Sequence, residues 1–357
     1  MNSFKKTAFG LDISDLSLKI AKLKKKENSL SLVSFGESSL RKGIIEGGEI
    51  KDAIALGEAI KKIISQVKGE KINKKEAILC LPEEKSFLDI IQIPPIREEE
   101  MESAVKFEAE NHIPLNFDEV YFDFKKITPA IKNLKYQEVL IAACPKDIVD
   151  PYLQAARAGG VKIAGLEPEC LSVARALVKN KKTEKPLLII DFGDTRSTFI
   201  IFSGRSLRFT STIPISSQMI SESIAKKMKV SLKEAEKLKK KEGLEGKEKV
   251  REAITFVLND FVEQVKTHLD YYHSHTPKDQ LVHDGKQLEE VLLCGGGANL
   301  KGMIKFLSKN LKVDVRKGNP WVNILEEPIK EVPKIPLGES LAFTTALGLA
   351  LKGIGYD

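Results

Sequence analysis

Aromatic residues are scarce, 6% of 357 positions, and Trp321 is the single tryptophan. A base-stacking surface needs a series of rings, so this scarcity argues against a nucleic-acid platform. Cysteine is thin as well. Cys80, Cys144, Cys170 and Cys294 lie far apart, each in or beside an apolar run, with no C-x-x-C or zinc spacing. Such residues act as small hydrophobes in a reducing compartment. Long hydrophobic runs are missing: the most apolar window, 340–351, is too short to span a bilayer. The opening MNSFKKTAFGLDIS has no stretch that reads as a secretory signal. Any membrane association is therefore expected through a partner. Charge of one sign is also lacking, since 50 acidic residues are mixed among 57 basic ones for a net +7. The lysine run Lys237–Lys241 reads as a solvated helix face. The five histidines offer no metal set, because His273 and His275 stand two apart on a helix and face different sides.

What is present is a globular composition, 42% hydrophobic and 30% charged, in a chain long enough for two or more domains. Alternating apolar positions predict strands at 7–12, 16–23 and 30–40, then a helix over 49–67 and a short strand at 77–81. An insertion-like segment follows. It reads as strand 85–93, an acidic-started helix 97–111, strands 121–126 and 137–144, helix 146–158 and strand 161–166, an order that suits one small α+β sandwich. The second half restarts with β structure over 186–211. Helices are expected at 216–228, 232–241 and 247–275, strand 289–294, helix 298–307, strand 313–315 and helix 337–351. The proline- and glycine-rich stretch 316–336 reads as surface loop.

An internal echo carries the chemistry. FGLDISDLSLKI (9–20) and IIDFGDTRSTFII (189–201) each place an aspartate at the end of an apolar strand, then a small residue, then a second aspartate. Asp12 matches Asp191, Ser14 matches Gly193 and Asp15 matches Asp194. Each is a hairpin with an aspartate at its turn. Turn N–H groups can hold phosphate oxygens, and hard carboxylate oxygens suit Mg²⁺ held through water. A third element, VLLCGGGANLKGM (291–303), runs a buried strand into Gly295, Gly296 and Gly297, where a flat base or ribose can approach the backbone. It lacks the Lys-Ser/Thr of a Walker loop and the spacing of a dinucleotide fingerprint.

DISD, DFGD and CGGGANL, in this order, resemble the two phosphate motifs and the adenosine motif of the actin, DnaK-chaperone and sugar-kinase superfamily. GLEPECLSVARAL (165–177) and LAFTTALGLAL (341–351) resemble its two connecting segments, and EQVKTHL (263–269) is similar to a nucleoside-embracing chaperone helix. The segment 81–124 resembles PilM, the actin-like family of type IV pilus assembly, at the place where FtsA and PilM carry an inserted subdomain. The resemblance implies a duplicated α/β fold related to ribonuclease H. Its subdomains would be 1–82 with 164–185, the insert 83–163, 186–211 with 276–357, and a helical part 212–275. It further implies ATP and Mg²⁺, with Asp12 and Asp191 on the metal side. Asp12, Ser14, Lys19, Asp191, Gly193, Asp194, Thr195, Gly295, Gly296, Gly297 and Asn299 would hold the nucleotide. Glu263 and Lys266 either contact the ribose or form a surface i, i+3 pair. Thr195 either binds phosphate or pairs in its strand. Glu167 either orients an attacking water or simply precedes the helix-starting Pro168. Ser14 departs from the glycine usual in the first turn, though its hydroxyl can still donate.

The partner implied is the short N-terminal cytoplasmic peptide of a PilN-like membrane protein, at the inner face of the cytoplasmic membrane, with slow or partner-dependent ATP turnover. The alternatives are an FtsA- or MreB-like filament protein, a secretion-platform homologue, and a small-molecule kinase of the same fold.

Overall fold

A computed structural model describes residues 7–26, 29–127, 136–275, 288, 290–325 and 332–356. The apolar alternation at the start builds a sheet. β1 (Phe9–Ile13) is buried along its whole length, and β2 (Ser17–Lys25) and β3 (Leu30–Ser39) add to it antiparallel. Short strands β4 (Ile45–Glu46) and β5 (Glu49–Ile50) pair with each other ahead of α1 (Ala53–Ser65). The expected start at 49 is too early, because Glu49 and Ile50 belong to β5. The Asp52 side chain caps α1, accepting the Ala55 N–H at 2.9 Å, one of the donors a helix start leaves open. Strands β6 (Lys68–Gly69) and β7 (Glu76–Leu81) follow.

The insert comprises β8 (Phe87–Ile93), α2 (Glu98–His112), β9 (Val120–Lys126) and β10 (Gln137–Pro145), in a sheet ordered β8-β10-β9. One face of this sheet, through Ile91, Ile93, Val139 and Ile141, packs under Met101, Val105 and Ala109 of α2. Its other face is apolar too. Leu140 and Ile127 belong to the core of the second half, and Leu88 and Ile90 pack against that core.

The next two elements, α3 (Lys146–Ala158) and β11 (Lys162–Pro168), do not complete a six-element sandwich as expected. β11 pairs parallel with β7, and Tyr152, Ala155 and Ala156 of α3 are buried with Leu56 and Ile60 of α1. Small alanines let these helices approach closely, so both elements join the first large sheet.

α4 (Glu169–Leu177) leads to β12 (Thr183–Phe192), β13 (Ser197–Gly204) and β14 (Ser206–Ile213), then helices α5 (Ser217–Met228), α6 (Leu232–Glu242) and α7 (Glu248–His275). β15 (Glu290–Cys294) begins just after Glu289, the expected first residue, which lies outside the described residues. α8 (Met303–Leu311), β16 (Asp314–Lys317), α9 (Leu337–Ser340) and α10 (Thr344–Gly353) close the chain. Two expected helices are interrupted. Gly296–Asn299 forms a separate 3₁₀ turn before α8, and a 3₁₀ turn at Leu341–Phe343 divides α9 from α10.

The two large sheets share a topology. The first runs β11-β7-β1-β2-β3-β6 and the second β14-β13-β12-β15-β16. Read from β16, the five strands of the second match the first five of the first, an antiparallel trio beside two parallel neighbours, and β6 is extra at the far edge. This is the structural form of the echo in the sequence.

The stretch 316–336 is not a superficial loop where described. Trp321, Ile324 and Ile335 are buried with Leu23, Leu32 and Leu347, while residues 326–331 lie outside the description.

α10 is buried on nearly every side and crosses α4. At the crossing, a Cβ on Gly348 would lie 1.9 Å from the Ser172 carbonyl oxygen, so only hydrogen fits. Gly348→Val is therefore expected to cost about 2–3 kcal/mol by overpacking, read as a lowered urea midpoint with unchanged slope. A change under about 0.5 kcal/mol, the range of ordinary surface substitutions, would mean that the two helices part easily.

Candidate functional site

The two hairpin turns face each other across a cleft of about 500 Å³. Asp12 is the last residue but one of β1 and stands in register opposite Lys19 on β2. Its turn closes through the Ser14 N–H donating to the Ser17 carbonyl at 3.0 Å, and the Lys19 ammonium donates to Ser17 Oγ at 2.8 Å. Asp191 holds the matching place on β12, with the Gly193 N–H donating to the Arg196 carbonyl at 3.0 Å. Behind this second turn, the first N–H groups of α5 donate to the Gly193 and Asp194 carbonyls. The helix start thus fixes the loop that faces the cleft.

Burial dominates the floor. It pushes the Asp12 carboxyl up, with Lys19 opposing, and pushes the Asp191 carboxyl to about 7, helped by the nearby Asp12 charge. These two carboxylates form an acidic pair with one facing lysine. Among the described residues no group of three or more His, Cys, Asp or Glu could cage a metal. The donor set instead suits Mg²⁺, which keeps several waters and borrows oxygens from a bound phosphate.

The glycine triplet acts differently from the expectation that all three open the way to a ligand. A Cβ on Gly295 would lie 2.3 Å from Asp191 Oδ1, and one on Gly297 would lie 2.3 Å from the Phe192 ring. Those two let the turn close against β12. Gly296 is the position open to the cleft, with nothing nearer than 4.0 Å. Asn299 also lines the cleft, donating from Nδ2 to the Gly338 carbonyl and accepting from Lys317. Ser14, Lys19, Gly193, Asp194 and Thr195 line it too.

Three expected positions lie elsewhere. Glu167 is buried away from the cleft, its oxygens held by Arg175 at 2.5 and 2.8 Å and by Lys352 at 2.9 Å. Both oxygens are taken, which leaves neither to orient a water. Glu169, two residues on at the start of α4, opens onto the cleft and accepts from Thr345 at 3.3 Å. Burial pushes its carboxyl well up, with Asp191 and Asp12 adding to it. Glu263 and Lys266 form a solvent-exposed pair at 2.8 Å, the surface alternative, and do not reach the cleft.

Residues from α6 stand in the cleft instead. Glu236, Lys239 and Lys240 line it, and Lys239 is 7% exposed. Its ammonium donates to Ser217 Oγ at 2.7 Å and to the Ser217 carbonyl at 2.9 Å. Burial acts to raise the Glu236 carboxyl, but hydrogen bonds from Lys239 and Ser221 outweigh it and leave the group below its usual value. The lysine run read as a solvated face therefore has one buried member. Glu236 and Lys239 have the same i, i+3 spacing as Glu263 and Lys266.

A family model described as type IV pilus assembly protein PilM matches residues 10–354. The chain belongs to the PilM family. Among solved structures, the PilM-PilN type IV pilus biogenesis complex is 25% identical, over 98% of this chain and 99% of that one, with a TM-score of 0.81. MreB 5 of Spiroplasma citri bound to AMPPNP is 15% identical over 96% and 95%, at 0.54. The ethanolamine utilization protein EutJ from Carboxydothermus hydrogenoformans is 14% identical over 96% and 89%, also at 0.54. This PilM-family chain therefore has the mixed α/β fold of the actin-like ATPases, as the hairpin echo implied. Among its described residues, no helix is long and apolar enough to cross a membrane.

Proposed function

We propose that this PilM-family chain is an ATP-binding scaffold of the type IV pilus inner-membrane platform. It holds the N-terminal cytoplasmic peptide of a PilN-like membrane protein and so sits at the inner face of the membrane. The observation that carries this reading is the full-length likeness to a PilM-PilN complex. The cleft supports the nucleotide part. Asp12 and Asp191 hold Mg²⁺ through water, Lys19 and the N–H groups of the two turns hold phosphates, and Gly296, Asn299, Glu236, Lys239 and Lys240 hold the nucleoside. Magnesium supplies charge neutralisation on the phosphates when bound. Glu169 takes the water-orienting place. It opens onto the cleft beside Asp12 and Asp191 at the start of α4.

Calorimetry tests this with Mg–ATP first, then with the tail peptide of the PilN-like protein. Micromolar peptide binding is expected, and it is expected to be lost on replacing exposed insert residues Phe107 and Leu115 by serine. Nucleotide binding with no peptide binding would discard the partner and keep the site.

A further inference from the structure

One side chain crosses the mouth of the cleft from turn to turn. Arg196 leaves the second turn and places its guanidinium 2.6 Å from Asp15 in the first. The same guanidinium pairs with Glu84, in the 3₁₀ turn Glu83–Lys85 at the root of the insert. All three are largely withdrawn from solvent, at 17%, 10% and 22% side-chain exposure, so the pairing is not a screened surface contact. The partners are unequal. Asp15 also accepts the Gly47 and Gly48 N–H groups at 3.2 and 3.1 Å, and keeps those donors if the guanidinium leaves. Glu84 is next to Glu83, a buried carboxylate anchored by the Cys170 N–H at 3.2 Å and by Thr210 at 2.7 Å. The root of the insert is thus tied to β14 and, through Arg196, to the second turn.

We propose that Arg196 reads the terminal phosphate of a nucleoside triphosphate, and that Glu84 competes with that phosphate for it. This rests on the nucleotide reading of the cleft. A phosphate between the turns approaches the Asp15 carboxylate and needs a neighbouring cation. Arg196 is the cation already placed there, and guanidinium binds phosphate through paired N–H donors. A diphosphate, one group shorter, leaves Arg196 on its carboxylates. Occupancy by a triphosphate therefore releases Glu84 and loosens the tie between the second turn and the insert.

The test is calorimetric titration of the full chain, with Mg²⁺, by ADP and by AMPPNP. Wild type, Arg196→Gln and Glu84→Gln are compared by their ratio of AMPPNP to ADP affinity. Loss of a charged hydrogen bond predicts a ratio lowered about tenfold or more in Arg196→Gln. Removal of the competitor predicts a raised ratio in Glu84→Gln. Opposite shifts support the proposal. An unchanged ratio in both variants, or a lowered one in Glu84→Gln, overturns it. Should Arg196→Gln fail to fold, the direction of the Glu84→Gln shift decides alone. If wild type binds neither nucleotide, it is the nucleotide reading itself that falls.

Discussion

Replacing Asp191 by asparagine is expected to stabilise the ligand-free protein while removing its stabilisation by Mg–ATP. The carboxyl is raised from 3.8 to about 7, chiefly by burial and then by Asp12. At about 1.4 kcal/mol per unit, ionising it in the fold costs on the order of 4 kcal/mol. A group raised in this way stabilises the fold fully below its unfolded pKa. That stability is lost as pH climbs from about 4 to about 7. Asparagine keeps the shape and removes the penalty, so at about pH 8 a gain of roughly 2–4 kcal/mol is expected. Magnesium needs the ionised form, so wild-type affinity for Mg–ATP should rise by up to about tenfold per pH unit below about pH 7. Urea unfolding and a thermal-shift titration across pH read both effects. A destabilised Asp191→Asn that still responds fully to Mg–ATP would remove Asp191 from the site.

The second large effect lies where the insert meets the second half. Arg208 on β14 pairs with Glu138 on β10 at 2.8 Å, and each side chain is only 4% exposed. Arg208→Ala leaves a buried carboxylate without its cation, which costs about 3–5 kcal/mol. Replacing both residues by apolar ones of similar volume should recover much of that, because desolvation of the pair offsets its attraction. Denaturant unfolding of the single and double variants separates the two cases. A loss below about 1 kcal/mol in Arg208→Ala would match an exposed pair and contradict this burial.

The hairpins were legible because an aspartate ending an apolar strand, repeated with the same small residue and second aspartate, is a local pattern. The family resemblance rested on such local patterns and is borne out. Errors arose where tertiary placement decides. Glu167 and Glu169 flank the same proline, but Glu167 still lies on β11 and meets Arg175 and Lys352, while Glu169 opens α4 and faces the cleft. Glu263/Lys266 and Glu236/Lys239 share one spacing, and nothing local says which helix borders the cavity. The capping box of Ser231 and Glu234, which starts α6, marks the helix but not its neighbour. Sheet membership was equally hidden, since β11 follows the insert in sequence but pairs with a strand before it. Arg196 and Glu84 are far apart along the chain, so their meeting is a product of the fold.

The insert's sheet is greasy on both sides, and this bears on how the segment could ever be exchanged. A module dry on one face only can be cut out and transplanted. Here an excised piece would carry Leu88, Ile90 and Leu140 into water, and its former host would be left with a bare strip along β14. Swapping such a segment between relatives therefore means swapping its seat as well. Changes that leave this packing intact are confined to exposed positions such as Phe107 on α2.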